Sequence, residues 1–389
     1  MSKTIQDLLI LLFVFCLLTL AIWLPHYFKT PLYGLDFSKG MSTIYRNFDG
    51  LEYVVIAKSF YNPNELAKIP QDKKPAYYPS HFPGYSILIN VFAPIFGYLK
   101  SMLFVTQLST LLAVFAFYFL IKDFRLSTSP LTLATLFLVL PARWIIVHSV
   151  GSSEPTFILF TLLGMYAFLK YETSQKLPFI LLTGVFGALA VLTRPPGILL
   201  YMALVLFFHF KIVGRLKSLG ILQSIKLHLN YLPLLLIPLT LVGIFYLYQI
   251  QLGDFWAYFH SGDNIHLNFP PFQVFNKQSF WVGDIWLEDI IYLFILGFMG
   301  GFLLLKKELT RPMGFYVLVF MLAGISIAHR DISRYLLGVV PFILIAYDKV
   351  LTSKEFKIVL VIILLGLYLY SQNFILNNTA PINNLPDFN

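Results

Sequence analysis

Long apolar runs separated by short polar turns recur along the whole chain, and they limit what it can fold into. Only 12% of the residues are charged and 58% are hydrophobic, whereas soluble domains carry roughly 25% charged residues. A helix needs about 20 apolar residues to cross the hydrocarbon core of a membrane, and the runs here approach that length. The sequence therefore predicts an all-α, polytopic membrane protein.

About eleven segments are predicted to span the membrane. They are 7–26, 101–121, 131–147, 155–170, 178–193, 196–211, 231–250, 290–305, 313–328, 335–348 and 357–372. The stretch 84–98 is shorter and contains Pro94, so we predict a helix lying in the membrane interface there. We expect one domain over residues 1–372, followed by a polar tail over 373–389.

The distribution of cations predicts the orientation of these segments. Alternate short loops carry 14 of the 28 lysines and arginines: Lys122 and Arg125; Lys170 and Lys176; Lys211, Arg215, Lys217 and Lys226; Lys306, Lys307 and Arg311; Lys349, Lys354 and Lys357. With eleven spans, all these loops lie on the side of the N-terminus, which the positive-inside rule makes cytoplasmic. The net charge of +9 is thus explained by topology in a cell membrane, and it needs no nucleic-acid partner.

The opposite, extracytoplasmic side carries two large loops. We predict a first loop over 27–100, with short interfacial helices, and a second loop over 251–289. The first contains "NFDGLEY", in which Asp49 and Glu52 are three residues apart. Asp49 is placed to act as a general base. The alternative is that Asp49 caps a helix and Glu52 is an exposed first-turn acid.

Two other outer segments hold polar residues that are candidates for a site. "YYPSHFPGY" contains His81 and Tyr85, and it predicts either a wall of a substrate site or an interfacial aromatic belt. "HSVGSSEPTF" contains His148 and Glu154. Glu154 either takes part in a site or caps the helix that starts at Pro155.

Arginines at outer helix ends oppose the orientation rule, and arginine suits bidentate phosphate recognition. Arg194 in "LTRPPG" is a phosphate ligand or compensates a helix dipole. Arg330 and Arg334 in "AHRDISRY" hold a phosphate or form a local salt bridge with Asp331.

Several chemistries lack support in the sequence. The single cysteine, Cys16, excludes a disulfide framework and a Cys-based metal site. No glycine-rich phosphate loop of the Walker type and no His cluster with metal spacing is present. We therefore expect no cofactor and no required metal.

Taken in order, the outer segments resemble those of the integral-membrane GT-C glycosyltransferases. They are most similar to the PIG-V type, the second mannosyltransferase of GPI-anchor assembly, and its prokaryotic relatives. That group has W-D-G-x-x-Y-x-x-I-A, F-F-P-x-Y-P, S-E-x-x-F, T-R-P-x-G, G-D and S-R-Y segments, which match here over about 45–345. Phe48 replaces the tryptophan, His81 the first phenylalanine and Ser86 the second proline.

The resemblance implies transfer of a sugar, mannose, from a polyprenyl-phosphate donor to an acceptor hydroxyl at the extracytoplasmic face, with inversion. It maps the family's base to Asp49. The acceptor is a lipid, a glycan or a protein, and the other partners are membrane lipids. Our catalytic candidates are Asp49, Glu52 and Glu154. Our substrate-binding candidates are His81, Tyr85, His148, Arg194, Arg330 and Arg334.

Two other classes of protein remain as alternatives. A flippase or transporter of lipid-linked glycans would also have many spans, but transporters often show inverted repeats and polar groups at mid-span. A polymerase of lipid-linked glycans also combines outer arginines with many spans, but it lacks an early "F-D-G" loop. Convergence of Asp49, Arg194 and Arg334 at one face is the observation that would favour the transferase.

Overall fold

The computed structural model describes residues 2–70, 73–215, 229–261, 267–279, 281, 287–380 and 388. Lys217 and Lys226 lie outside the described residues, as do parts of the predicted loop 251–289 and of the tail 373–389. Within the described ranges the chain is helical and has no β-strand. This confirms the predicted all-α class.

The first half of the chain contains a long α-helix, four shorter ones and then two long helices with a broken pair between them. In order these are α1 (Lys3–Phe28), α2 (Ser42–Tyr45), α3 (Gly50–Ser59), α4 (Pro63–Leu66), α5 (Pro83–Phe96), α6 (Tyr98–Asp123), α7 (Pro130–Val139), α8 (Ala142–Ser149) and α9 (Glu154–Ser174). A 3₁₀ helix, Pro75–Ser80, precedes α5.

The second half of the chain is also built from α-helices and short 3₁₀ helices. Its α-helices are α10 (Leu177–Thr193), α11 (Ile198–Arg215), α12 (Leu236–Leu252), α13 (Ala257–His260), α14 (Leu287–Leu305), α15 (Arg311–Gly324), α16 (Ile332–Tyr335), α17 (Val340–Ala346), α18 (Asp348–Leu351) and α19 (Lys354–Asn377). Its 3₁₀ helices are Pro195–Gly197, Leu232–Leu235, Gln273–Phe275, Glu308–Thr310 and Leu336–Val339.

The lengths and composition of the helices are those of a multi-pass membrane protein, but they do not give the predicted number of spans. In the described part of the chain, five are long and apolar enough to cross a membrane: Lys3–Phe28, Tyr98–Asp123, Leu232–Leu252, Glu288–Leu305 and Lys354–Asn377. The bent pair α7 and α8 would make a sixth. The count of about eleven is therefore not confirmed.

One predicted span is broken where a proline interrupts it. The single helix predicted over 131–147 is instead α7 and α8, which meet at an angle of 73°. Pro141 lies between them; proline has no N–H to donate, and the residue before it disfavours helical geometry. The span predicted over 335–348 is not broken: a 3₁₀ segment, Leu336–Val339, leads directly into α17. The continuous apolar helix here, Ile332–Ala346, is shorter than the five candidate spans.

The bundle packs around α6, α9 and α10. Helix α9 lies along both α6 and α10, and α10 also contacts α12. Three helices at the periphery, α1, α14 and α19, instead expose large apolar side chains such as Phe13, Phe302 and Val361. Lipid tails are as apolar as these side chains, so this exposure is expected of helices at the edge of a membrane bundle.

A glycine allows α5 to approach the end of α10. A Cβ atom on Gly84 would lie 2.8 Å from the backbone carbonyl of Leu192. This contact brings the segment that carries His81 and Tyr85 beside the turn that carries Arg194.

We predict that Gly84→Ala lowers the thermal unfolding midpoint of the protein in detergent, because the added methyl group meets backbone that cannot move aside. Overpacking of this kind costs about 1–3 kcal/mol. Gly366→Ala in α19 is the matched control, since a Cβ there meets nothing within 4 Å. Equal midpoints for the two variants would contradict the close approach.

Candidate active site

Four charged side chains from distant parts of the chain meet where several helices begin or end. Asp49 precedes α3, Glu154 is the first residue of α9, Arg194 follows α10 and Arg334 lies in α16. Ion pairs join all four: Arg334 contacts Asp49 and Glu154, and Arg194 contacts Glu154. We call these four residues the ion-pair cluster.

Arg334 links the two carboxylates of the cluster. Its Nη2 donates to Asp49 Oδ2 at 2.9 Å, and its Nε donates to Glu154 Oε1 at 2.6 Å. The Arg334 side chain is only 4% exposed, and a buried guanidinium is costly unless opposite charges neutralise it. Its Cζ also lies 4.1 Å from the centre of the Phe48 ring, within the range of a cation–π contact.

Glu154 is the buried anion that both arginines share. Its Oε1 lies 2.7 Å from Arg194 Nη1 as well as 2.6 Å from Arg334 Nε, and its Oε2 accepts a hydrogen bond from Ser152. The side chain is 3% exposed. It lies in the first turn of α9, where a negative charge also favours the helix dipole. The carboxylate therefore orients two guanidinium groups.

Two hydroxyl groups that sequence reasoning did not single out complete the contacts of Arg194. Its Nη1 donates to Ser153 Oγ at 2.9 Å, and Ser153 Oγ donates to Tyr53 Oη at 2.8 Å. Both residues lie inside the quoted motifs, Ser153 directly before Glu154. Serine and tyrosine are common and uncharged, so neither residue type by itself predicts a site. Their positions next to Glu154 and Glu52 in the sequence are the one feature that could have suggested them.

Asp49 differs from Glu154 in being accessible. Its side chain is 33% exposed, and no hydrogen bond from it caps α3. Burial would raise the pKa of Asp49, but the charges of Arg334, His81 and Arg194 lower it to about 2. A carboxyl with a lowered pKa stabilises the fold above its ordinary pKa of 3.8, and this contribution is lost as the pH falls towards 2.

The residue before Asp49 has a strained backbone. The backbone of Phe48 has a φ angle of 46°, in the left-handed region that residues other than glycine rarely adopt. Such a conformation costs of order 1–3 kcal/mol and persists where the surroundings fix it. Here Phe48 is fixed between Arg334 and the ring of Phe374, whose centroid is 5.6 Å away.

The proline-rich segment places His81 at the edge of the cluster. His81 Nε2 is 4.0 Å from Asp49 Oδ2, and its Nδ1 is 2.8 Å from Ser80 Oγ. Its ring packs edge-on against Tyr53 at 5.1 Å. Tyr85 is fully buried, donates to the carbonyl of Met102 at 2.8 Å and accepts from the amide of Ser152 at 3.2 Å. In this state Tyr85 anchors the chain around Glu154.

Three predicted residues, Glu52, His148 and Arg330, are not among the four that define the ion-pair cluster. Glu52 is buried in the first turn of α3. His148 is buried in α8, with Nε2 3.1 Å from the carbonyl of Leu138. Arg330 is exposed. The predicted local salt bridge of Asp331 is formed instead with Arg143, at 3.3 Å.

The positive charge of the site comes from its arginines. In the part of the chain that the structure describes, no three His, Cys, Asp or Glu side chains are grouped closely enough to hold a metal ion. Independence from metal stays a prediction. The arrangement offers one accessible carboxylate beside two guanidinium groups, which suits acid–base chemistry next to an anionic group.

Comparison with known proteins identifies the fold. A family model described as dolichyl-phosphate-mannose-protein mannosyltransferase matches residues 93–259, fewer than half of the chain. The search of curated proteins found no match to this chain.

Two solved structures are similar over most of this chain. One is ArnT from Cupriavidus metallidurans bound to undecaprenyl phosphate, with 15% identity, a TM-score of 0.54 and coverage of 89% of this chain and 62% of that one. The other is the Archaeoglobus fulgidus oligosaccharyltransferase tethered with an acceptor peptide, with 14% identity, a TM-score of 0.58 and coverage of 98% and 56%. The chain spans less than two thirds of their length. This chain therefore shares its fold with these two proteins; the PIG-V-type relationship is not confirmed.

We predict that Glu154→Gln destabilises the protein by about 3–5 kcal/mol, because it leaves two buried guanidinium groups with a single carboxylate. SDS-driven unfolding in mixed micelles would measure the change. Glu65→Gln is the control: its pair with Lys68 is at least half exposed on both sides, so about 1 kcal/mol or less is expected. Similar losses for the two variants would argue against a buried charge network.

Proposed function

We propose that this protein is an integral-membrane glycosyltransferase that takes a sugar from a polyprenyl-phosphate donor. The observation that carries the proposal is the convergence of Asp49, Arg194 and Arg334 at one end of the bundle, around Glu154. These residues come from three regions of the sequence, and their meeting gives a base and an anion site side by side. A structural protein has no need for such a pairing.

The leaving group explains the two arginines. When the bond between the anomeric carbon and the phosphate oxygen breaks, the polyprenyl phosphate gains negative charge. Preorganised cations close to that oxygen stabilise the transition state, and guanidinium groups match phosphate geometry. Arg194 and Arg334 fit this role because Glu154 holds both in fixed orientations. They supply positive charge at this site without a metal.

Accessibility separates the roles of the two carboxylates. Asp49 is 33% exposed and Glu154 3%, so an acceptor hydroxyl reaches Asp49 more readily. In the proposed reaction the hydroxyl proton passes to Asp49 and the oxygen bonds to the anomeric carbon. The bonding electrons of the old linkage leave with polyprenyl phosphate, and attack from the opposite side inverts the configuration. Glu154 orients the arginines and takes no proton.

The state described here holds Asp49 in an ion pair with Arg334. A carboxylate with a pKa near 2 is a weak base. A donor phosphate that takes over the contact with Arg334 would release Asp49, and its own negative charge would raise the pKa of Asp49. Donor binding therefore prepares the base.

The donor and acceptor are assigned with support from the comparisons. The matched family model names a dolichyl-phosphate mannose donor and a protein acceptor. Of the similar structures, ArnT is bound to undecaprenyl phosphate, and one archaeal oligosaccharyltransferase, AglB, is in complex with a dolichol-phosphate and an inhibitory peptide. We propose mannose as the sugar and a lipid, glycan or protein hydroxyl as the acceptor.

The positive-inside pattern supports a cytoplasmic N-terminus and an extracytoplasmic site in the cell membrane. The cluster residues lie at or beyond helix ends. A transporter site would instead be expected near the middle of the membrane. This position favours the transferase over the flippase and transporter alternatives.

We predict that Asp49→Asn lowers sugar transfer about 10²-fold or more, since the swap keeps the size of the side chain and removes its basicity. The assay uses a radiolabelled polyprenyl-phosphate mannose with membranes that contain the full chain. Asp36→Asn is the control, an exposed aspartate in the same first loop. Transfer by Asp49→Asn at the rate of this control would remove Asp49 from the mechanism.

The lowered pKa of Asp49 gives a second expectation for the wild-type enzyme. Because the free enzyme keeps Asp49 ionised down to a pH of about 2, kcat/KM should show no acid limb from this residue above pH 4. The limb in kcat, which reports the donor complex, should appear at higher pH than in kcat/KM. Initial rates from pH 4 to 9 at low and saturating donor would test this. An acid limb in kcat/KM near pH 6 that Asp49→Glu shifts would contradict it.

A further inference from the structure

Two arginines each contact one ring of an aromatic pair next to the ion-pair cluster. The rings of Phe48 and Phe374 are 5.6 Å apart. Arg334 Cζ lies 4.1 Å from the Phe48 ring centre, and Arg143 Cζ lies 3.9 Å from the Phe374 ring centre. The row Arg334–Phe48–Phe374–Arg143 thus joins α16, the segment before α3, α19 and α8.

Arg143 is also connected to Arg334 through Asp331. Arg143 Nη2 lies 3.3 Å from Asp331 Oδ1, and both side chains are largely buried. The carbonyl of Asp331 accepts a hydrogen bond of 2.8 Å from the amide of Arg334. Arg143 therefore contacts the segment that carries Arg334 and, through the two rings, the segment that carries Asp49.

The end of α19 also binds the Asp49 segment through hydrogen bonds. Asn47 Nδ2 donates to the carbonyl of Ile375 at 2.7 Å, and the amide of Ala380 donates to the carbonyl of Arg46 at 2.8 Å. Asn47 is fully buried. These bonds hold the chain on the N-terminal side of Phe48, whose left-handed backbone must be fixed by its surroundings.

We propose that Arg143 and Phe374 are positioning residues, which hold Arg334 against Asp49 in the geometry that the reaction needs. This inference rests on the proposed transferase function. Neither residue belongs to the ion-pair cluster. Phe374 acts through its contact with Phe48, and Arg143 acts through its contacts with Phe374 and Asp331. Their removal would displace the charged groups without removing any of them. A displacement of about 1 Å at a reacting group can cost about 10²-fold in rate.

The experiment compares four variants of the full chain in lipid nanodiscs. Phe374→Leu keeps an apolar side chain but loses the ring, and Phe374→Tyr keeps the ring. Arg143→Gln removes the charge. Phe356→Leu, at the other end of α19, is the matched aromatic control. The readouts are kcat and donor KM, together with hydrogen–deuterium exchange of peptides covering residues 46–53.

We expect Phe374→Leu and Arg143→Gln to lower kcat at least about tenfold, because they loosen the alignment of Arg334 and Asp49. Exchange over 46–53 should rise at least about threefold, as contacts that protect this segment are lost. Phe374→Tyr should stay within about twofold of wild type in both readouts. Rescue by the ring, where leucine fails, separates a cation–π role from simple packing.

The remaining outcomes decide the inference in the following ways. If Phe374→Leu and Arg143→Gln match Phe356→Leu in both rate and exchange, neither residue positions the cluster. If Phe374→Leu fails to fold, Arg143→Gln decides alone. If wild type transfers no sugar, exchange decides: faster exchange over 46–53 in Arg143→Gln keeps the positioning role and rejects the transferase, whereas unchanged exchange rejects the positioning role.

Discussion

Burial of the Arg334 guanidinium is the constraint on which the site depends. A cation that is almost removed from solvent is tolerated only where carboxylates neutralise it and its N–H groups find acceptors. Asp49 and Glu154 provide both. Glu154 in turn neutralises Arg194, so two cations and two anions form one connected group. Four separate chain segments must therefore meet, and any packing of the helices that kept them apart would leave an uncompensated charge.

The helix ends suit this group electrostatically. Glu154 lies at the N-terminus of α9, where the helix dipole favours an anion, and Arg194 directly follows the C-terminus of α10, where it favours a cation. Close backbone approach completes the arrangement. A Cβ on Gly50 would lie 3.0 Å from the carbonyl of Gly151, so the residue after Asp49 can pack against the turn that leads to Glu154.

The same balance of charge would make the site responsive to the anionic donor of the proposed reaction. In the state described here each arginine is paired with a carboxylate, and a donor phosphate would have to compete with these carboxylates. Asp49 is the exposed member of the cluster and hence the one that can be displaced, while Glu154 stays buried and keeps both guanidinium groups in place. One carboxylate is thus suited to change partners during a reaction and the other to preserve geometry.

The sequence by itself determined the helical membrane class, because repeated apolar runs of about 20 residues with few charges are typical of membrane-spanning helices. Its motifs also indicated Asp49, Glu154, Arg194 and Arg334. The tertiary structure decided their partners. Arg334 pairs with residues 180 and 285 positions away, and no local pattern encodes such a contact. The sequence therefore did not predict the contacts of Ser153, Tyr53 and Arg143. It also did not predict that Asp331 pairs with Arg143 instead of with its neighbours in the chain. The presence of Pro141 was a signal for a helix break, but we predicted one continuous span because the residues around it are apolar. Local spacing specifies helices, whereas the pairing of charges depends on which helix ends come together.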